Sequence, residues 1–506
     1  MRKLLLLLIF QLLALGIPLR GHAQFSITEA TIADIHTALK SGLTCRTLVG
    51  MYLEKIATDD QKESGLNSIL MTNSQALEIA DELDAKYAQS GLTGSLHCVP
   101  VILKDNFDTA DMPTTGGSVV LKDSIPPNDA FITQKLKAAG AIILAKANLH
   151  EFAVWGETVS SLGGQTRNPY DLTRTPGGSS GGTGAAIAAN FGSVGMGTDT
   201  VNSIRSPASA CNLVGLRPTM GLVSRDGIIP YSLTQDIAGP ITRTVADAAR
   251  VLDAIAGYDA ADAATAWSYD RVPPSYTKYL QANGLKGTRI GVLRSFFGSG
   301  TEHQEVNTVM KTAIAQMQQQ GAAIVPIDID LDTNTLVSDV SVHLYELKAH
   351  LQPYFASLGA NAPVKTLDDI IASGKYSPSI ADSLQKARSL SINDPEYKER
   401  LLKRQALQQT IMQLMAANKL DALVYPHQKR LVVPIGESQT ERNGVLGSIT
   451  GFPAITVPAG FTPRKPSAPL GVPVGIEFLG RPWSEPTLIK LAYAFEQATK
   501  HRRPPQ

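Results

Sequence analysis

One short stretch constrains this chain more than any other. Pro176-Gly177-Gly178-Ser179-Ser180-Gly181-Gly182 leads straight into Thr183-Gly184-Ala185-Ala186-Ile187-Ala188-Ala189. A glycine-rich turn that opens a small-residue helix lets backbone approach a ligand closely and aims free N–H groups at negative charge. A phosphate cradle of the Walker type would need Lys before Thr183, where Gly182 stands. A plain flexible turn is the other reading the stretch allows by itself.

The continuation is what makes the stretch specific. It runs Gly195-Met196-Gly197-Thr198-Asp199-Thr200-Val201-Asn202-Ser203-Ile204-Arg205-Ser206-Pro207-Ala208, then Gly215-Leu216-Arg217-Pro218-Thr219. With this block the chain resembles the amidase signature family. Val99-Pro100-Val101-Ile102-Leu103-Lys104-Asp105 is similar to that family's lysine strand, and Lys146-Ala147-Asn148-Leu149-His150-Glu151-Phe152 to the segment before its Gly/Ser loop. Gly451 to Pro458 and Gly471 to Gly475 resemble its C-terminal part. The matched segments span roughly residues 30 to 500, with the middle third unmatched.

The resemblance implies a serine hydrolase that cuts a carboxylic amide. Carried over position by position, it makes Ser203 the nucleophile, Ser179 a bridging serine preceded by a cis peptide bond, and Lys104 the base. The chemistry is coherent, because a serine hydroxyl needs a base and burial lowers a lysine's pKa enough to let it be one. No histidine is then required, and the histidines here sit in no Ser-His-Asp pattern. The family also implies that backbone N–H groups around Thr200, Val201, Asn202 and Ser203 hold the oxyanion, that Asp199 and Arg205 form a structural ion pair, and that Phe152 to Glu157 and Tyr425 to Arg430 line the substrate pocket. Among the latter, Ala153, Val154, Trp155 and His427 are the candidate substrate contacts. The family pattern has at least one glycine in the two positions before the nucleophile, whereas Val201 and Asn202 stand there. If that turn needs φ > 0, Asn tolerates it and Val does not, so the oxyanion loop is expected to be retuned.

Bulk properties fit a small-molecule enzyme. The 506 residues are 43% hydrophobic and 18% charged, enough for a large core, and a net charge of +1 leaves no footprint for nucleic acid or anionic lipid. No His-x-His or His-Glu-x-x-His spacing suggests a metal, and no cofactor is expected. Met1-Arg2-Lys3, the apolar run Leu4 to Leu19 and Gly21-His22-Ala23 read as a signal peptide over residues 1–23. Sixteen apolar positions fall short of a membrane span, so stable insertion is not expected and the protein is read as exported, periplasmic or extracellular. Of Cys45, Cys98 and Cys211, at least one must stay a buried thiol, since three cannot pair fully.

Residues 24–506 are read as a single α/β domain of the amidase-signature type, with a mixed, largely parallel sheet covered by helices on both faces. Helix, turn, helix is expected over Thr31 to Ile56. Pro100 to Leu103 reads as a buried strand ending at Lys104, and Ala130 to Leu144 as helix then strand. Arg289 to Ile327 reads as strand, helix, strand, and Gly475 to Thr499 as strand then helix. Residues 331–417 read as a helical insertion that shapes or covers a pocket. Two rival functions share the motifs or the scaffold: the glutaminase subunit of a tRNA-dependent amidotransferase, and a non-catalytic binding protein.

Overall fold

The structure, a computed structural model, describes residues 25–62 and 64–506, so the expected leader lies outside the described residues. An eleven-stranded sheet runs through it. In chain order its strands are β1 Ile69–Thr72, β2 Pro100–Lys104, β3 Ile142–Ala147, β4 Val194–Asp199, β5 Val214–Arg217, β6 Ile237–Thr242, β7 Arg289–Leu293, β8 Ala323–Ile327, β9 Ala422–Pro426, β10 Ala454–Phe461 and β11 Pro473–Leu479. Across the sheet they lie in the order β1, β3, β2, β4, β6, β5, β10, β11, β9, β7, β8.

The α/β class holds, with a larger antiparallel share than the sequence suggests. β2 runs parallel to β3 and β4, and β7 to β8 and β9. The other six neighbouring pairs are antiparallel. The reason is connectivity. Parallel neighbours need a crossover, and the helices Phe131–Ala138 and Gln304–Gln319 supply one on either side of the sheet's centre. β5 and β6, like β10 and β11, are joined by chain without a helix, and such neighbours turn back on each other.

β2 shows how the sequence delivers a charge to the interior. Val101 and Leu103 pack into one hydrophobic cluster and Ile102 into another, so both faces of the strand are covered and a continuous apolar run is required. By strand alternation Lys104 points to the side of Ile102, where the helix Gly181–Ala188 packs through Ala185 and Ile187. That helix lies so close that a Cβ on Gly182 would come within 2.1 Å of the Asn148 carbonyl oxygen. Only glycine permits the approach.

The insertion over residues 331–417 is helical, with helices His343–Ser357, Leu367–Ser373, Ala381–Ser389 and Pro395–Ala417 between β8 and β9. Leu347, Leu351, Phe355 and Leu384 form their own apolar cluster together with Phe152, Val154 and Tyr231. Elsewhere Cys45 and Cys98 are joined in a disulfide with Cα atoms 5.4 Å apart, and Cys211 is a buried free thiol. Among the described residues no helix is long and apolar enough to cross a membrane.

Candidate active site

Three chain segments converge at the C-terminal ends of β2 and β4. β2 ends at Lys104, which is fully buried. The glycine-rich turn places Ser179, also fully buried, so that Lys104 Nζ lies 2.7 Å from Ser179 Oγ. The Gly178–Ser179 peptide is cis, as the resemblance implies. The turn after β4 carries Ser203, and the two turns are tied by Ser180 N–H donating to the Ser203 carbonyl at 3.3 Å and Gly178 N–H to Ser206 Oγ at 3.4 Å. Ser203 faces a cleft with a cavity volume of about 170 Å³.

Electrostatics around Lys104 follow from its burial. Desolvation pulls its pKa down from 10.5 to about 7, and Asp236 and Asp199 only partly restore the charged form. Its neighbours are otherwise neutral acceptors, above all Thr198 Oγ1 at 2.7 Å. His150 N–H holds the Ser179 carbonyl at 3.0 Å. The His150 ring, pushed down to about 3 by burial and by Arg442 and Lys104, stays neutral, accepting from Glu157 N–H at 3.1 Å and lying 3.1 Å from Ser379 Oγ. Both ring nitrogens are thus engaged away from the Ser179 and Ser203 hydroxyls.

The turn carrying Ser203 is braced by a buried charge network. Arg205 grips Asp199 with Nε at 3.0 Å and Nη2 at 3.1 Å, and also pairs with Glu477. Arg217 adds a second cation to Asp199 at 3.0 Å. Burial alone would raise the Asp199 pKa, but Arg205 and Arg217 outweigh it and hold the carboxyl well below the usual range. Ile204 N–H and Ser448 Oγ also bond Asp199, at 3.1 and 3.0 Å, so the carboxylate is fully occupied. The expected Asp199–Arg205 pair is therefore the centre of a larger assembly. Arg217 stands in the Gly215–Thr219 motif without a role assigned from sequence, and Glu477, far off in sequence, gave no signal of this pairing.

Neither Val201 nor Asn202 has a positive φ. The turn instead uses its carbonyls as anchors: Thr200 O accepts from Gln235, Val201 O from Ser448 and Arg205, and Asn202 O from Ser206 N–H. Among the described residues no group accepts from the N–H groups of Thr200, Val201, Asn202 or Ser203. All four residues line the cleft, so a set of uncommitted donors surrounds the Ser203 hydroxyl region.

Of the expected pocket residues, Ala153, Val154 and Trp155 line this cleft. His427 does not. It is fully buried, its Nδ1 lies 2.6 Å from Glu477 Oε2, and Tyr425 beside it bonds the same carboxylate. Both bond Glu477, which Arg205 also holds, so they support the charge network rather than the substrate wall. The rest of the lining includes Val337 and His343, from the 331–417 insertion expected to shape a pocket, and Tyr231 and the segment Gln439–Arg442, which had no sequence signal. Arg442 stacks over Trp155 at 4.7 Å and pairs with Glu157 at 3.4 Å. Among the described residues the one group of three potential metal ligands is Cys45, His97 and Cys98, whose two sulfurs are already joined to each other.

The amidase family's sequence profile matches residues 47–489. The chain belongs to the amidase signature family. As such it is an amide-hydrolysing enzyme. It is 36% identical over 517 residues to a probable amidase from Arabidopsis thaliana, covering 96% of this chain and 93% of the relative. To a glutamyl-tRNA(Gln) amidotransferase subunit of Moorella thermoacetica it is 37% identical, covering 86% and 90%. Its fold superposes on the native peptide amidase of Stenotrophomonas maltophilia with a TM-score of 0.86 at 38% identity, covering 94% and 98% of the two chains.

Proposed function

We propose that the protein is an exported amidase that works through a Ser203 acyl-enzyme. Neutral Lys104 draws the proton of Ser179, Ser179 takes that of Ser203, and the Ser203 oxygen attacks the amide carbonyl carbon. The resulting oxyanion is held by the N–H groups of the Thr200 to Ser203 turn, whose energetic weight in acyl transfer is large. The relay then returns a proton to the departing nitrogen as the C–N bond breaks, releasing ammonia or an amine. Water, deprotonated through the same groups, attacks the ester, and the carboxylic acid leaves with Ser203 restored.

The observation that carries this reading is the 2.7 Å approach of a fully buried lysine, poised near neutrality, to a serine in the turn that packs against Ser203. Substrate scope follows from the walls. Val154, Trp155, Val337 and Tyr231 suit an acyl group with apolar or aromatic parts. The similarity to a peptide amidase supports a peptide carboxamide as the first substrate to try.

The amidotransferase glutaminase is the second reading, favoured by relatives of similar identity. The Cys45–Cys98 disulfide and the apolar leader support the exported reading instead, because disulfides persist in oxidising compartments. Incubating the purified protein with a library of amides, including amidated peptides and free glutamine, and following release by mass spectrometry tests the proposal. Release from peptide or aliphatic amides supports it. Release from glutamine alone favours the amidotransferase reading, and binding without release favours a non-catalytic role.

A further inference from the structure

We propose that Thr198 and Asn106 are positioning residues that fix the direction in which the Lys104 amine presents its lone pair, an inference that rests on the relay proposed above. A neutral amine has two N–H bonds and one lone pair at tetrahedral angles. Three oxygens surround Lys104 Nζ: Thr198 Oγ1 at 2.7 Å, the Thr198 carbonyl at 3.5 Å and Ser179 Oγ at 2.7 Å. The Thr198 carbonyl is a long contact and already accepts from Ser180 Oγ at 3.2 Å, so Thr198 Oγ1 and Ser179 Oγ are the two close partners of the amine.

Thr198 Oγ1 has two lone pairs, one for Lys104 and one for Asn106, and its position is fixed. Its backbone is held in β4, where Thr198 N–H donates to Ser180 Oγ at 3.3 Å, and its hydroxyl receives Asn106 Nδ2–H at 3.1 Å from the other side. Asn106 lies two residues beyond Lys104 and is buried with it. With one N–H drawn to Thr198 Oγ1, the amine is free to turn its lone pair to the other close oxygen, Ser179 Oγ. In that orientation the lone pair meets the Ser179 hydroxyl and takes its proton, and the ammonium so formed hands the proton back later in the cycle. Were Thr198 absent, the amine could donate to Ser179 and block the relay.

The charged and titratable groups acting on Lys104 come from several elements: Asp236 at the foot of β6, Asp199 at the end of β4, and His150. Asp199 is already balanced by Arg205 and Arg217. Asp236 accepts from Thr200 Oγ1 at 2.5 Å and from Tyr231 and Ser232 N–H at 2.8 Å each, which leaves it fixed. Thr198 and Asn106 are thus the partners free to set orientation.

The test compares Thr198→Val, Thr198→Ser and Asn106→Asp with the wild type in two measurements. One is the pH profile of kcat and KM on the best amide found; the other is the titration of Lys104 followed by NMR of ¹³C-labelled lysine, which needs no turnover. Removing the acceptor in Thr198→Val should lower kcat by at least about tenfold with KM within about twofold, while the acid limb and the Lys104 titration both move to lower pH. A base that is more often neutral yet slower is the signature of lost orientation. Thr198→Ser should restore both. Asn106→Asp should move the limb and the titration to higher pH, because it adds a carboxylate close to Lys104. Unchanged kcat and titration in Thr198→Val, or a loss that Thr198→Ser fails to restore, would overturn the proposal. If the wild type hydrolyses no amide, the function reading fails by itself. The lysine titrations then still decide the placement: opposite movements support it, and unmoved ones overturn it.

Discussion

Lys104 Nζ and Ser179 Oγ lie 2.7 Å apart with neither residue exposed to solvent. A lysine there is costly to keep charged, and its neighbours are arranged to make the neutral form useful. Its pH behaviour is the first consequence. kcat/KM should rise with pH through about 7 and level off above it, since the deprotonated amine is the active form and burial has moved its pKa from 10.5 to about 7. A profile governed by one histidine, and abolished on replacing it, would contradict this.

The same shift makes a stability prediction with a definite sign. Below about 7 the folded and unfolded chains both hold the Lys104 proton, and the burial penalty is fully present. Between about 7 and the unfolded lysine value of about 10.4 only the unfolded chain holds it, so stability should rise with pH across that window. In urea unfolding from pH 6 to 9, the wild-type midpoint should therefore climb relative to that of Lys104→Met, which lacks the titrating group. Parallel curves would remove the linkage.

Ser203→Ala should cost at least about three orders of magnitude in kcat, because a nucleophile acting within a relay fails as a unit. A fluorophosphonate should label Ser203 alone. Labelling at Ser179 or Cys211 would sink the assignment. Lys104→Ala and Ser179→Ala should fold and keep less than about a tenth of the wild-type rate.

Asn202 is a test of how this chain replaces the missing glycine. Its side-chain nitrogen is buried at the cleft without a protein partner, beside a turn whose N–H groups are equally uncommitted. Asn202→Gly should lower kcat about a hundredfold with KM little changed if the amide donates to the oxyanion, in line with the loss of a single oxyanion-hole donor. Near-normal kinetics would leave the backbone as the only donor set.

Arg205→Ala should be among the most damaging substitutions outside the relay. It leaves Asp199 and Glu477 buried with too few partners, a loss of about 3–5 kcal/mol for breaking a buried pair. Denaturant unfolding measures it. Arg205→Lys should rescue little, since one ammonium cannot reproduce the two-pronged grip on Asp199.

The sequence by itself determined what local chemistry can determine. The apolar run Pro100 to Leu103 read as a buried strand ending at Lys104, and the structure covers that strand on both faces. The small residues from Gly177 to Ala189 read as a turn opening a helix, and the continuation from Thr198 to Pro207 carried the family resemblance. Helices such as Gln304–Gln319 and Glu485–Thr499 were legible from their apolar periodicity. Tertiary structure alone decided the rest. The antiparallel half of the sheet depends on which strands become neighbours, which no local pattern encodes. His427 looks like a pocket residue from its neighbourhood in sequence, yet Glu477, fifty residues away, draws it inward. Arg442, Tyr231 and His343 reach the cleft from three separate parts of the chain. Their meeting, like that of Arg217 and Glu477 around Arg205, is set by long-range packing and by the demand that every buried charge find a partner.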